Sequence, residues 1–174
     1  MNEHLRAGHI HTPLGLMIAI VNAAGGMVRL DFEDDYRIDR EEMNARTARD
    51  DDAVAEIAIQ IGEYFAGERR VFSLPLAPPG SAFLHRAWAA LVQVPFGTTV
   101  TYGTLAKRLD RPTSARAIGR ANAINPLSII VPCHRVIGAN GDLTGYGGGI
   151  ARKEALLRIE GSFVQGRTFS DGPK

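Results

Sequence analysis

Cysteine is almost absent from this chain: 174 residues contain one, Cys133. A single thiol cannot close an internal disulfide, which suits a reducing, cytoplasmic setting. It also excludes a structural zinc site built from several cysteines. Long apolar runs are missing too. None approaches the ~20 residues a helix needs to span a bilayer, so no membrane partner is expected. The apolar stretch 14–21 is too short, and too close to Pro13 and Gly15, for a signal-peptide core, and it reads as a strand. Repeats and low-complexity tracts are lacking as well.

Net charge is also small, +1 at pH 7, but it is unevenly placed. Residues 1–80 carry 8 Lys/Arg against 14 Asp/Glu, whereas residues 81–174 carry 12 against 5. Either two solvated faces divide this way by chance, or an acidic module is joined to one that meets a polyanion. What is present is ordinary globular material. With 45% apolar and 22% charged residues the chain can bury a core, and disorder is excluded.

The pattern predicts an α/β (α+β) architecture. A small N-terminal domain of sheet plus helix spans 1–78, and a mainly helical C-terminal domain spans 79–174. In the first, apolar runs at 16–21 and 27–32 flank NAAGG, a hairpin signal. The acidic stretch 33–52 reads as loop with some helix. Asp50, Asp51 and Asp52 then favour a helix start, with Val54, Ile57, Ile61, Tyr64 and Phe65 at helical period and Gly67 as the stop. SLPLAPPGS reads as the linker between domains. Ser81 caps a helix to about 92. Two short helices follow, about 101–109 and 115–124, joined by DRPT and by Ser114 as a cap, with Arg116 and Arg120 on one face of the second. This is either a helix-turn-helix or a plain helical hairpin with solvated arginines. A glycine-rich loop, GANGDLTGYGGG, leads into a last helix over 151–159.

Chemistry centres on LSIIVPCHRVIG. A free cysteine is only a few per cent thiolate at neutral pH and needs a base or a positive charge to become a nucleophile. His134 is adjacent, but neighbours in extended chain point apart, so the Pro-Cys-His junction must bend or a water must bridge the two groups. A base needs its own orienting partner. Arg135 cannot accept a proton and receives no chemical role; the acids available in this half are Asp110, Asp142, Glu154, Glu160 and Asp171. From the residues alone, Cys133 is either such a nucleophile or an inert buried thiol. His9 and His11 have the spacing of one strand face but no third ligand in view, and no metal site is expected; His4 and His85 belong to no constellation.

Several ordered motifs over 83–161, namely VPFGTTVTY, ARAIGRANAINP, PCHRV, GYGGG and KEALLRIEG, resemble the O6-alkylguanine-DNA alkyltransferases, the methylated-DNA–protein-cysteine methyltransferases. The N-terminal part is similar more loosely, through TPLG, the hairpin and EYFAGE. The resemblance implies that Cys133 takes the alkyl group from guanine O6, in one irreversible turnover without a cofactor. O4-alkylthymine is a further expected substrate. It makes His134 the base acting through a water, Glu160 its orienting partner, Asn125 the hinge that holds the site backbone, and Tyr102 a donor to the leaving guanine. Arg116 fills the gap left by the flipped base. Thr101, Tyr102, Asn122 and Ala123 meet DNA in the minor groove, and Tyr146, Gly147, Gly148 and Lys153 line the alkyl pocket. Some relatives carry a serine where this chain has Gly147, and losing that hydroxyl opens the pocket. The expected partner is duplex DNA containing the lesion, bound by a cytoplasmic monomer. Two other classes compete: a helix-turn-helix regulator with an inert Cys133, and a Cys-His-Glu thiol hydrolase that turns over repeatedly.

Overall fold

In a computed structural model of the chain, which describes residues 4–109, 113–164 and 167–168, the polypeptide divides into two units, 1–79 and 80–174. The first is built on β1 (Leu5–Thr12), β2 (Gly15–Val21) and β3 (Met27–Phe32), an antiparallel meander. Gly15 turns the first corner with φ 124, where Thr12 Oγ1 donates to its carbonyl, and Asn22 gathers the amides of Ala24 and Gly26 at the second. Helix α1 (Arg40–Arg46) is capped by Asp39, and it delivers β4 (Thr47–Arg49) parallel to β1, giving the order β3-β2-β1-β4. Met17 to Val21 are all buried, and α2 (Ala55–Phe65) turns Ile57, Ile61 and Tyr64 into the core.

The hairpin and α2 agree with the sequence pattern, whereas β1 and β4 do not follow from it. The acidic stretch contains a strand as well as a helix. SLPLAPPGS is also more than a linker: its first half lies along β3, with the Met27 amide donating to the Pro75 carbonyl and the Ala77 amide to that of Met27.

The second unit is mainly helical: α3 (Ala82–Val92), α4 (Tyr102–Arg108), α5 (Ala115–Ala123) and α6 (Ile150–Ile159). Ser81, Thr101 and Ser114 cap the first three, each side chain accepting an amide one turn ahead. Residues 110–112 of the DRPT turn lie outside the described residues; α4 and α5 pack against each other on either side of it. Trp88 on α3 donates to the Ala121 carbonyl at 3.0 Å and anchors α5. A short parallel pair, β5 (Val100–Thr101) with β6 (Val136–Ile137), ties the start of α4 to the chain leaving Cys133. Thus α4, α5 and the cysteine segment are fixed to one another within a single unit. The overall class is the mixed α/β one expected.

Candidate active site

The run 127–132 before the cysteine is buried and sharply folded. Ile129 takes φ 73, and the Ile130 amide donates to the Ser128 carbonyl at 2.9 Å, a γ-turn of the uncommon positive-φ kind. Pro132 then makes an inverse γ-turn (φ −79, ψ 61), with the Cys133 amide donating to the Val131 carbonyl at 2.8 Å. Asn125 holds both bends. Its Oδ1 accepts the Leu127 amide at 3.0 Å, and its Nδ2 donates to the Val131 carbonyl at 2.9 Å and to Cys133 Sγ at 3.1 Å. The second bend leads into a 3-10 turn, Cys133–Arg135, so the chain is not extended at the Pro-Cys-His junction.

Cys133 is 6% exposed, and His134 is fully buried behind it. His134 Nε2 lies 2.7 Å from Glu160 Oε1, at the C-terminal end of α6. Asp142 and Glu154, the other described acids of this half, are bonded to Asn140 and Arg158 instead, and Asp110 and Asp171 lie outside the described residues. Burial lowers the His134 pKa, which Glu160 opposes without prevailing, while Arg135 and Lys153 add to the lowering. The imidazole is therefore neutral at pH 7. With its Nε2–H donated to Glu160, its Nδ1 carries the free lone pair, and Nδ1 has no protein partner. Burial works against ionisation of Glu160, but His134 and Arg135 outweigh it and hold the carboxyl well below the usual range.

Arg135 has a place that adjacency could not reveal. Its Nε and Nη2 grip the two oxygens of Glu160 at 2.8 and 3.0 Å, and its Nη1 donates to the Val94 carbonyl at 2.6 Å. The sequence assigned it no role, and in the structure it fixes the Glu160 carboxylate that His134 also meets. A buried carboxylate needs a paired cation, and that need was the available signal.

Lys153, fully buried on α6, donates to the Val136 and Thr144 carbonyls at 2.5 and 2.6 Å. Burial brings its pKa down to about 8, and attraction to a Cys133 thiolate counters part of that fall. Tyr102, at the start of α4, donates to the same Thr144 carbonyl at 3.3 Å. Tyr146 sets its ring edge-on to His134, with centroids 6.5 Å apart, and Gly147 and Gly148 follow it toward α6.

Of the residues assigned to DNA, Arg116 and Ala123 are exposed on α5, and Thr101 uses its hydroxyl to cap α4. Asn122, also assigned to DNA, is 5% exposed, and its Nδ2 donates to the Cys133 carbonyl at 3.2 Å. Among the described residues no group of three His, Cys, Asp or Glu side chains could hold a metal ion. No described helix is long and apolar enough to cross a membrane.

Two family models match the chain: the 6-O-methylguanine DNA methyltransferase ribonuclease-like domain over residues 5–78 and its DNA-binding domain over 82–162. A methylated-DNA–protein-cysteine methyltransferase of Methanosarcina acetivorans is 53% identical over 107 residues, which cover 62% of this chain and 69% of the relative. The solved O6-methylguanine methyltransferase of Mycobacterium tuberculosis is 39% identical and superposes with a TM-score of 0.82 over 96% of both chains. A second structure, Mycobacterium tuberculosis OGT in complex with DNA, gives a TM-score of 0.80 at 39% identity over 90% of this chain and 93% of that one. Cys133, His134, Glu160 and the helix pair thus occur in one unit of a chain that is similar to the two solved Mycobacterium tuberculosis proteins along nearly its whole length. The chain belongs to the 6-O-methylguanine DNA methyltransferase family.

Proposed function

We propose that this protein repairs duplex DNA by moving the alkyl group of O6-alkylguanine, and of O4-alkylthymine, onto Cys133. The observation that carries the reading is the relay behind the thiol, His134 with its Nε2 on Glu160 and its Nδ1 lone pair free. In the reaction the S–H proton leaves through a water to His134 Nδ1, and the sulfur electron pair attacks the alkyl carbon. The C–O6 bond breaks toward guanine, and the thioether keeps the alkyl group. Imidazolium formed at His134 is balanced by Glu160, whose own charge Arg135 shares. Lys153 places a second positive charge where a thiolate forms. Tyr102 turns its hydroxyl from the Thr144 carbonyl to the departing base, whose developing negative charge a hydrogen bond stabilises.

The lesion reaches this site by rotation out of the duplex, because an alkyl group inside the stack cannot be attacked in line. Arg116, exposed near the start of α5, fills the place of the extruded base, and Ala123 allows close approach to the minor groove. Minor-groove readout is nearly degenerate, which suits inspection of any sequence. The protein acts as a monomer in the cytoplasm, and no cofactor takes part.

Stoichiometry tests the reading. With increasing amounts of a duplex carrying one O6-methylguanine, lesion removal should plateau at one per protein molecule, and Cys133→Ala should remove none. Continued turnover past one equivalent would refute it and favour a hydrolase.

A further inference from the structure

Asn122 holds a buried hydrogen-bonding atom, Oδ1, that no protein group satisfies. The Cys133 carbonyl can only accept, so the amide of Asn122 must face it with Nδ2, at 3.2 Å. Its Oδ1 is left buried with no partner, on an amide anchored to the nucleophile's own backbone. A second buried acceptor of the same site, His134 Nδ1, is also without a partner, and it belongs to the next residue. Buried acceptors of this kind are as a rule satisfied by protein or by an ordered water.

We infer that Asn122 is a positioning residue for proton transfer, its Oδ1 and His134 Nδ1 together orienting one water against the Cys133 thiol. Such a water donates one hydrogen to each acceptor and accepts the S–H, which gives it three partners, the number typical of buried water. On transfer, the S–H proton passes to the water as the water's own proton passes to Nδ1. The products are thiolate and imidazolium, with the water restored. It then donates to sulfur, accepts from Nδ1–H, and keeps its bond to Oδ1 throughout. Because that bond is the same before and after, Asn122 neither gains nor loses a proton. It fixes the direction in which the proton moves. The role of the water as relay rests on the proposed function; the role of Asn122 adds an α5 residue to it.

The groups that set the charge at Cys133 are His134 and Arg135 from its own turn, Lys153 and Glu160 from α6, and the ring of Tyr146 from the glycine-rich loop. On α5 the side chain bonded to this turn is Asn122, which is uncharged. Replacing it therefore changes the water's orientation without altering the charges around the thiol.

Cys133 is the chain's only cysteine, so a general thiol reagent reports on it alone. The rate of carboxamidomethylation by iodoacetamide should be measured from pH 6 to 10 for the wild type and Asn122→Leu, alongside thermal melting of each. The expected result is about a tenfold slower reaction of the variant near pH 7, with the two profiles converging at high pH, where hydroxide removes the proton directly. A deficit of constant size across the range, or none, would overturn the inference. If Asn122→Leu does not fold, Asn122→Ser keeps an oxygen at shorter reach and is held to the same criterion at a smaller deficit. A wild type that fails on O6-methylguanine while the profiles still differ would refute the proposed function and leave the role of Asn122 standing.

Discussion

Lys153 shows how much one residue commits to this site. An amine with an ordinary pKa of 10.5 is buried, and folding brings it down to about 8. At ~1.4 kcal/mol per unit, keeping it protonated at pH 7 costs about 3 kcal/mol. Between pH 8 and 10.5 the unfolded chain holds the extra proton, so stability linked to this position rises with pH in that window and is level below it. Wild type and Lys153→Met compared by chemical denaturation should show it. The wild type should gain relative to the variant from pH 8 to 10.5; a constant difference would contradict this account of the burial. Legibility at this scale was uneven. Cys133 and His134 could be picked out because their chemistry demands a nucleophile and a base, whereas Glu160 was one of five acids and was singled out by the family resemblance alone. Arg135 and Asn122 could not, because what they do depends on a carboxylate 25 residues away and a carbonyl 11 residues away.

The element that presents the nucleophile is not a helix or a strand but a pair of γ-turns held by one asparagine. Ile129 is a β-branched residue in the left-handed region, a conformation that costs about 1–2 kcal/mol in a non-glycine residue. Its neighbour Ile130 is also buried but has no positive φ. Ile129→Gly should therefore destabilise the protein by about 1–2 kcal/mol less than Ile130→Gly, as read from denaturation midpoints at equal slope. Equal losses would mean that the turn carries no strain. Helices α3, α4 and α5 were legible because each has a side-chain cap and a face with buried apolar residues, and Ser81, Thr101 and Ser114 mark their starts. Strands β1 and β4 were not. Gly8, His9 and His11 blur the alternation of β1, and β4 has three residues whose pairing lies some forty positions away. No local period records such a contact.

At the scale of the whole molecule, the charge split acquires a purpose: the basic half is the unit that contains Cys133 and the helix pair. Lys107, Arg108, Arg116 and Arg120 are exposed on α4 and α5. Binding through such groups is salt-dependent, because each phosphate contact releases counterions. If Arg116 supports base extrusion, Arg116→Ala should slow transfer from a lesion in duplex DNA about tenfold, ~1.4 kcal/mol, and leave transfer from the free base O6-benzylguanine unchanged. Equal slowing of both would place Arg116 in the thiol chemistry instead. The central claim, however, is that Cys133 ends the reaction carrying the alkyl group. The direct measurement is the mass of the Cys133 peptide after incubation with a duplex containing one O6-methylguanine. The expected result is a gain of one methylene in a one-to-one ratio with lesions lost, on that peptide alone. Loss of the lesion with an unchanged peptide mass would contradict it.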